Sequence, residues 1–243
     1  MPNLCVATWN ITGGRREGTG QLDFAAVLET VRSLGADVLA LQEVDRELHR
    51  SGRVDQPRAI AEALGPEWSW SYAPALVGDD LGPLGGPDPG GPGYGNLLLS
   101  RLPMEAVEHL RFPPAGGGEQ RTALVATVRV GGRPLTVAAA HLSNKQGHNV
   151  RQLRQLQQVV AERPGPRLLL GDLNLPATAM LLASRRGWPE VGRGRTFPNS
   201  RPTQQLDHVL RHDPRSVLRP IGVRVVASSV SDHRALRADL ALR

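Results

Sequence analysis

The chain has 243 residues, 40% of them hydrophobic and 21% charged, with a formal net charge of +6. That length and mix suit one globular domain over residues 1–243, and no apolar run approaches the ~20 residues that span a bilayer, which argues against a helical membrane protein. Positive charge draws polyanions, but the bases here are scattered arginines with a single lysine, Lys145, and aromatic residues make up only 4%, so no base-stacking platform is evident.

The first strand-like run, Leu4–Trp9, follows Met1-Pro2 almost directly, leaving no room for a signal peptide and giving a cytoplasmic location as the expectation. Cys5, the lone cysteine, has no internal disulfide partner and reads as a small core residue. Asp23–Leu34 carries apolar residues at helical spacing, with Asp23 placed to cap it and Gly35 to end it, and Asp37–Val44 is a second apolar strand. This is a β-α-β opening. Pro57–Leu64 reads as a helix closed by Gly65, Ser69–Ala73 and Asn96–Ser100 as strands, and Gly78–Gly95, dominated by glycine and proline, as a long surface loop.

The second half opens on a hairpin, Arg121–Val130 and Pro134–His141, joined at Gly131-Gly132-Arg133. Val150, Leu153, Leu156, Val159 and Val160 then line one face of a helix whose other face is polar. Arg167–Leu170 reads as a buried strand, Ala177–Ser184 as a short helix, and Leu206–Arg211, Val217–Val226 and Ala235–Leu240 as closing strands. The predicted fold class is α/β: a four-layer α/β sandwich, two mixed β-sheets packed face to face with helices outside.

Polar residues recur where strands end, positions that anchor a side chain yet leave it reachable. They stand in Thr8-Trp9-Asn10, Leu41-Gln42-Glu43-Val44, Ala140-His141-Leu142-Ser143, Gly171-Asp172-Leu173-Asn174, Leu206-Asp207-His208-Val209 and Ser231-Asp232-His233. Glu43 with Asn10 beside it makes a sensible hard-cation site, to which Asp232 adds a carboxylate. Asp172 and Asn174, two positions apart on an extended segment, can share one side; the acid can orient or deprotonate water, and the amide can donate to a phosphoryl oxygen. Asp207 is placed to hold the imidazole of His233, while His208 is expected on the opposite side of its strand.

In their order and strand contexts these motifs resemble the endonuclease/exonuclease/phosphatase superfamily, from Trp9 to His233. The resemblance implies metal ligation by Glu43, acid–base work by Asp172, a phosphate contact from Asn174, the His233–Asp207 pair, and a second histidine, His141, that assists the leaving oxygen as an acid. It also points to Asn96, Arg121 and Thr196 as substrate-side residues. The chain departs from abasic-site endonucleases, which carry an aspartate where Thr12 stands and other patterns near the C-terminus; that lowers the case for DNA repair.

The expectation is therefore a Mg²⁺- or Mn²⁺-dependent phosphoesterase that cleaves a phosphodiester, nucleic acid or another, by in-line attack of water. The alternatives are a phosphomonoesterase acting on an inositol phosphate or small metabolite, and a silent module that only holds a phosphorylated ligand. The expected partner is a phosphorylated substrate, including nucleic acid; no protein partner is implied.

Overall fold

A computed structural model describes residues 3–114 and 118–243. The strands are β1 (Asn3–Asn10), β2 (Val38–Arg46), β3 (Ser69–Val77), β4 (Gly82–Pro83), β5 (Gly93–Ser100), β6 (Met104–Phe112), β7 (Arg121–Val130), β8 (Arg133–His141), β9 (Arg167–Asp172), β10 (Asp207–His212), β11 (Leu218–Val226) and β12 (Ala235–Leu242). The helices are α1 (Phe24–Ser33), α2 (Gln56–Leu64), α3 (His148–Ala161) and α4 (Ala177–Ala183). Asp23 caps α1, its side chain accepting from Ala26 N, and Asp55 does the same for α2 through Arg58 N. The β7–β8 turn places Gly131 and Gly132 at φ 56° and 79°, the double left-handed geometry that glycine adopts without cost in a two-residue hairpin.

Seven strands form one sheet in the order β11-β12-β1-β2-β5-β3-β4, and five form the other in the order β10-β9-β8-β7-β6. Parallel pairs β1–β2 and β8–β9 make both sheets mixed. Alternation along the strands divides most of the core into three, with a smaller cluster of Leu48, Ala75, Leu76 and Tyr94 beside them. Leu4, Val6, Val38, Ala40 and Leu98 from the first sheet meet Leu124, Ala126, Val137, Ala139, Leu168 and Leu170 from the second. The opposite faces pack under helices: Ala7, Trp9, Leu39 and Leu41 with Val27, Val31 and Ile60, and Ala138, Ala140 and Leu169 with Leu153, Leu156 and Val160. The result is the expected four-layer sandwich.

Two features depart from expectation. β6 carries no clear apolar alternation: Glu105, Glu108 and Arg111 sit among mostly exposed positions, and its pairing with β7 slips between Glu105 and Glu108. Charges and a bulge are what keep an edge strand from recruiting another chain, and they erase the strand signal. The Gly78–Gly95 stretch is also less open than a free loop. β4 pairs with the end of β3, Gly93–Gly95 begin β5, and Arg46 ties the segment down through both carboxylate oxygens of Asp88 and the Gly91 carbonyl.

Candidate active site

The inter-sheet faces are apolar along most of their length and turn polar at one rim. Following β1 inward, Leu4 and Val6 give way to Thr8 and Asn10; following β8 and β9, Val137 and Ala139 lead to His141, and Leu168 and Leu170 to Asp172. Register then sets neighbours. His141 lies opposite Asp172 across β8–β9, and Asp172 opposite Asp207 across β9–β10. Below the first sheet's rim, the Thr8 hydroxyl and Gln42 amide bond one another, satisfying a buried polar pair between the sheets.

Asn10 joins the two sheets. Its Nδ2 donates to Glu43 Oε1 at 2.9 Å and to Asp172 Oδ2 at 3.1 Å, while its Oδ1 accepts from Thr12 N at 3.1 Å. Glu43 reaches this point because β2 bulges there: pairing with β5 shifts between Leu41 and Val44, and Glu43 itself has φ 55°. A bulge re-aims the side chain that strict alternation would have sent to the helix layer. Thr12, Asn174 and Ser231 also have positive φ, at 49°, 50° and 68°, so strained non-glycine backbone gathers around this site.

Asp172 is buried and stands at the centre. Its Oδ1 accepts from Asn174 N at 3.0 Å, and its Oδ2 faces His141 Nε2 at 3.5 Å and His233 Nε2 at 3.7 Å. Burial pushes its carboxyl up to about 6, with nearby Asp207 adding to the rise and His233 opposing it. The Asn174 side chain donates to Leu142 O, and the Asn174 backbone carbonyl accepts from the Asn149 amide, which fixes the turn after β9.

His233 Nδ1 lies 2.8 Å from Asp207 Oδ2, the pairing expected from sequence. Burial alone would lower this imidazole, but Asp207, then Asp172 and Asp232, outweigh it and raise its pKa to about 10. The ring is the imidazolium at neutral pH. Ser231 Oγ accepts from His233 N and donates to Asn10 O, Trp9 Nε1 donates to His233 O, and the Phe197 ring lies 4.9 Å from the imidazole. Asp207 Oδ1 is buried and has no hydrogen-bond partner among the described residues.

His141 is held differently. Arg121 Nη1 lies 3.1 Å from its Nδ1 and 3.0 Å from Glu119 Oε1, so Arg121 bridges an acid and the imidazole. Burial, then Arg121 and His233, keep the His141 pKa well below the ordinary histidine value.

The rim thus gathers Asn10, Glu43, His141, Asp172, Asn174, Asp207 and His233. Asp232 lies beside them with its Oδ1 taken by the Thr12 hydroxyl at 2.7 Å. Asn96 is buried, its amide donating to Thr122 O and Thr122 Oγ1, and its Oδ1 has no partner among the described residues. Thr196 is fully buried, and its Oγ1 accepts from Leu206 N and Asp207 N, which spends the hydroxyl on seating Asp207 and leaves no surface for a substrate. His208 faces away as expected, with Nδ1 on Glu190 and Nε2 on the Leu175 carbonyl, both at 2.7 Å. Sequence reasoning missed Glu119 and the scaffolding role of Ser231, although Glu119 lies two residues before Arg121 and Ser231 two before His233.

The donor set suits a hard divalent cation near Glu43. The Glu43 and Asp172 carboxylates bracket one neutral amide, Glu43 is only half-buried, and among the described residues no guanidinium pairs with either acid. Asp172, Asp207 and His233 also bring ligand-type atoms within 4.8 Å of one another.

Comparisons with known proteins agree with this architecture. The sequence matches the Endonuclease/Exonuclease/phosphatase family over residues 7–233. An endonuclease/exonuclease/phosphatase from Beutenbergia cavernae DSM 12333 superposes with a TM-score of 0.73 at 24% identity, covering 100% of this chain and 72% of that one. TDP2 of D. rerio complexed with single strand DNA product gives 0.72 at 17%, covering 99% of each chain. A mannosyl-6-phosphatase of Bacteroides thetaiotaomicron VPI-5482 gives 0.72 at 15%, covering 98% and 100%. Among curated proteins no sequence matches. At these identities the solved structures establish the fold, and the family match over nearly the whole chain establishes that the protein belongs to the endonuclease/exonuclease/phosphatase family.

Proposed function

We propose that the chain is a divalent-metal-dependent phosphoesterase, acting as a single domain over residues 1–243, that hydrolyses a phosphodiester by in-line attack of water. The observation that carries this reading is the contrast around Asp172: one buried carboxylate raised to about 6 faces an imidazolium, a neutral imidazole and the Asn10–Glu43 pair.

Near neutral pH Asp172 is largely ionised yet close enough to its pKa to accept a proton, which suits a base that orients a water and takes its proton as the oxygen attacks. His233, charged and seated by Asp207, donates from Nε2 to a phosphoryl oxygen as negative charge builds. Asn174, with one N–H of its amide on Leu142 O, offers the other to a second phosphoryl oxygen. Glu43, with Asn10 beside it and Asp232 on the far side of Thr12, would hold Mg²⁺ or Mn²⁺. Bound there, the ion supplies charge neutralisation at the phosphoryl and leaving oxygens. Arg121 and Asn96 belong to the substrate side of this reading, Arg121 through the His141 imidazole that it holds.

The substrate class is nucleic acid or another phosphodiester, consistent with the net charge of +6 and with the DNA product bound to the D. rerio relative. Phosphomonoester hydrolysis is the second reading, favoured by the mannosyl-6-phosphatase among the structural relatives. The test is metal-dependent hydrolysis measured on DNA, RNA, phospholipid headgroup diesters, inositol phosphates and sugar phosphates. Turnover that survives excess chelator, or none on any of them with Mg²⁺ or Mn²⁺ present, overturns the proposal.

A further inference from the structure

Two histidines face the same oxygen of Asp172, one from the end of β8 and one from the segment before β12, and their outer nitrogens meet opposite partners. His233 Nδ1 meets a carboxylate, Asp207 Oδ2 at 2.8 Å; His141 Nδ1 meets a guanidinium, Arg121 Nη1 at 3.1 Å. An arginine side chain has only donors and stays protonated in proteins, so the nitrogen it touches must be the acceptor. The single proton of a neutral His141 is thereby placed on Nε2, the nitrogen aimed at Asp172 Oδ2 at 3.5 Å.

We infer that Arg121 is a positioning residue that locks His141 in the neutral, Nε2-protonated tautomer, making it a fixed hydrogen-bond donor to the substrate rather than the acid that protonates the leaving oxygen. A second proton on Nδ1 would have to displace the guanidinium, and the surroundings leave it little room to move. Arg121 is itself buried, anchored on the other side by Glu119 Oε1 at 3.0 Å, and its buried Nε has no partner among the described residues. The charged groups around the ring are Arg121 from β7, Asp172 from β9 and His233 from the segment before β12; Glu119 acts through Arg121, and Asp207 through His233. Two of the three that face it directly are cations, and the one anion, Asp172, is shared with His233. The depressed pKa of His141 agrees with this arrangement.

The inference changes what the family resemblance implied for His141. A charged histidine at this position has a proton to hand to a departing oxygen; a neutral Nε2–H gives only a hydrogen bond. It rests on the phosphoesterase reading for its catalytic meaning, whereas the tautomer can be tested without turnover.

The experiment is nitrogen–proton correlation NMR on the full chain labelled with ¹⁵N-histidine, with His141→Gln to identify the signals. His141 is expected to show an unprotonated Nδ1 and a protonated Nε2 throughout the interval from about pH 5 to 8 in which an ordinary histidine titrates. A protonated Nδ1, or a ring that titrates within that interval, overturns the inference. Arg121→Glu reverses the partner: it should move the proton to Nδ1, bring a His141 titration into the window, and add a new limb to the pH profile of kcat with a loss of roughly 10²-fold. Arg121→Lys, which keeps a donor, should preserve the wild-type tautomer and lose less; a lysine variant as impaired as the glutamate variant, with the tautomer unchanged in both, counts against the mechanism. A neutral Nε2–H His141 in a protein that hydrolyses no phosphate ester would sink the functional proposal and leave the tautomer standing, whereas turnover with a titrating His141 would do the reverse.

Discussion

Asp207→Asn removes one charge from the rim while keeping side-chain size. In the folded protein His233 titrates at about 10 against an ordinary 6.5, a difference of about 3.5 units, which at about 1.36 kcal/mol per unit amounts to about 5 kcal/mol favouring the charged ring. Burial opposes that preference; among the contributions that favour it, the charge and hydrogen bond of Asp207 come first, ahead of Asp172 and Asp232. Because the folded pKa lies above the unfolded one, the stabilisation is fully present below the unfolded value near 6.5, fades as pH rises toward 10, and is absent above it. Urea unfolding of both proteins in chelator, compared pH by pH, should therefore show the variant less stable by about 3–5 kcal/mol in the acidic range, the usual cost of breaking a buried pair, with the gap closing on the alkaline side. A histidine NMR titration should show the His233 midpoint falling by several units. A stability gap that does not change with pH, or a midpoint within about one unit of wild type, would refute the reasoning.

Three further outcomes follow from the same geometry. Glu43→Ala should raise the Mg²⁺ or Mn²⁺ concentration needed for half-maximal rate, since a carboxylate is lost from the cation side of the rim, and a metal titration identical to wild type would exclude Glu43 as a ligand. Thr196→Val should cost about 1–3 kcal/mol in chemical denaturation by stranding the Leu206 and Asp207 N–H groups, and should lower kcat by unseating Asp207; an unchanged denaturation midpoint would mean these bonds are dispensable. Gly171→Ala should destabilise by more than about 3 kcal/mol, because a Cβ at that position, where φ is 156°, would run into the Ala140 carbonyl oxygen; a variant with near-native stability would show that the β8–β9 contact is looser than described.

The rim was legible in the sequence because strand alternation places polar residues at the last inward position of an otherwise apolar strand. Asn10, His141 and Asp172 each end such a run. Glu43 obeys a different rule: alternation alone sends it to the helix layer, and only the β2 bulge brings it to Asn10, a feature that no local pattern announces. Thr196 was legible as a neighbour of the site but not as buried scaffolding, since its partners are backbone N–H groups whose positions depend on how the 185–205 segment folds back. The role of Arg121 was hidden for a related reason. Which nitrogen of His141 it meets is a matter of cross-strand distance, and two sequences with the same residue types could place an arginine or an acid there. β6 went unread because an edge strand is protected by the very charges that mask its periodicity.

Asn10 and Glu43 hang from one sheet, and His141, Asp172 and Asp207 from the other, so the distance between reacting groups is a clearance between two slabs rather than a property of any one loop. The filler that sets this clearance is remote from the chemistry: Val6, Leu98, Leu124 and Leu170 lie between the sheets. Thinning that filler, for example by Leu98→Ala, would let the slabs settle toward one another or slide, and a misplacement of even ~1 Å at the reacting atoms is enough to cost ~10²-fold in rate. Turnover is then a finer gauge of interior packing than melting temperature, and substitutions screened for fold alone would pass molecules whose two halves of the site no longer meet.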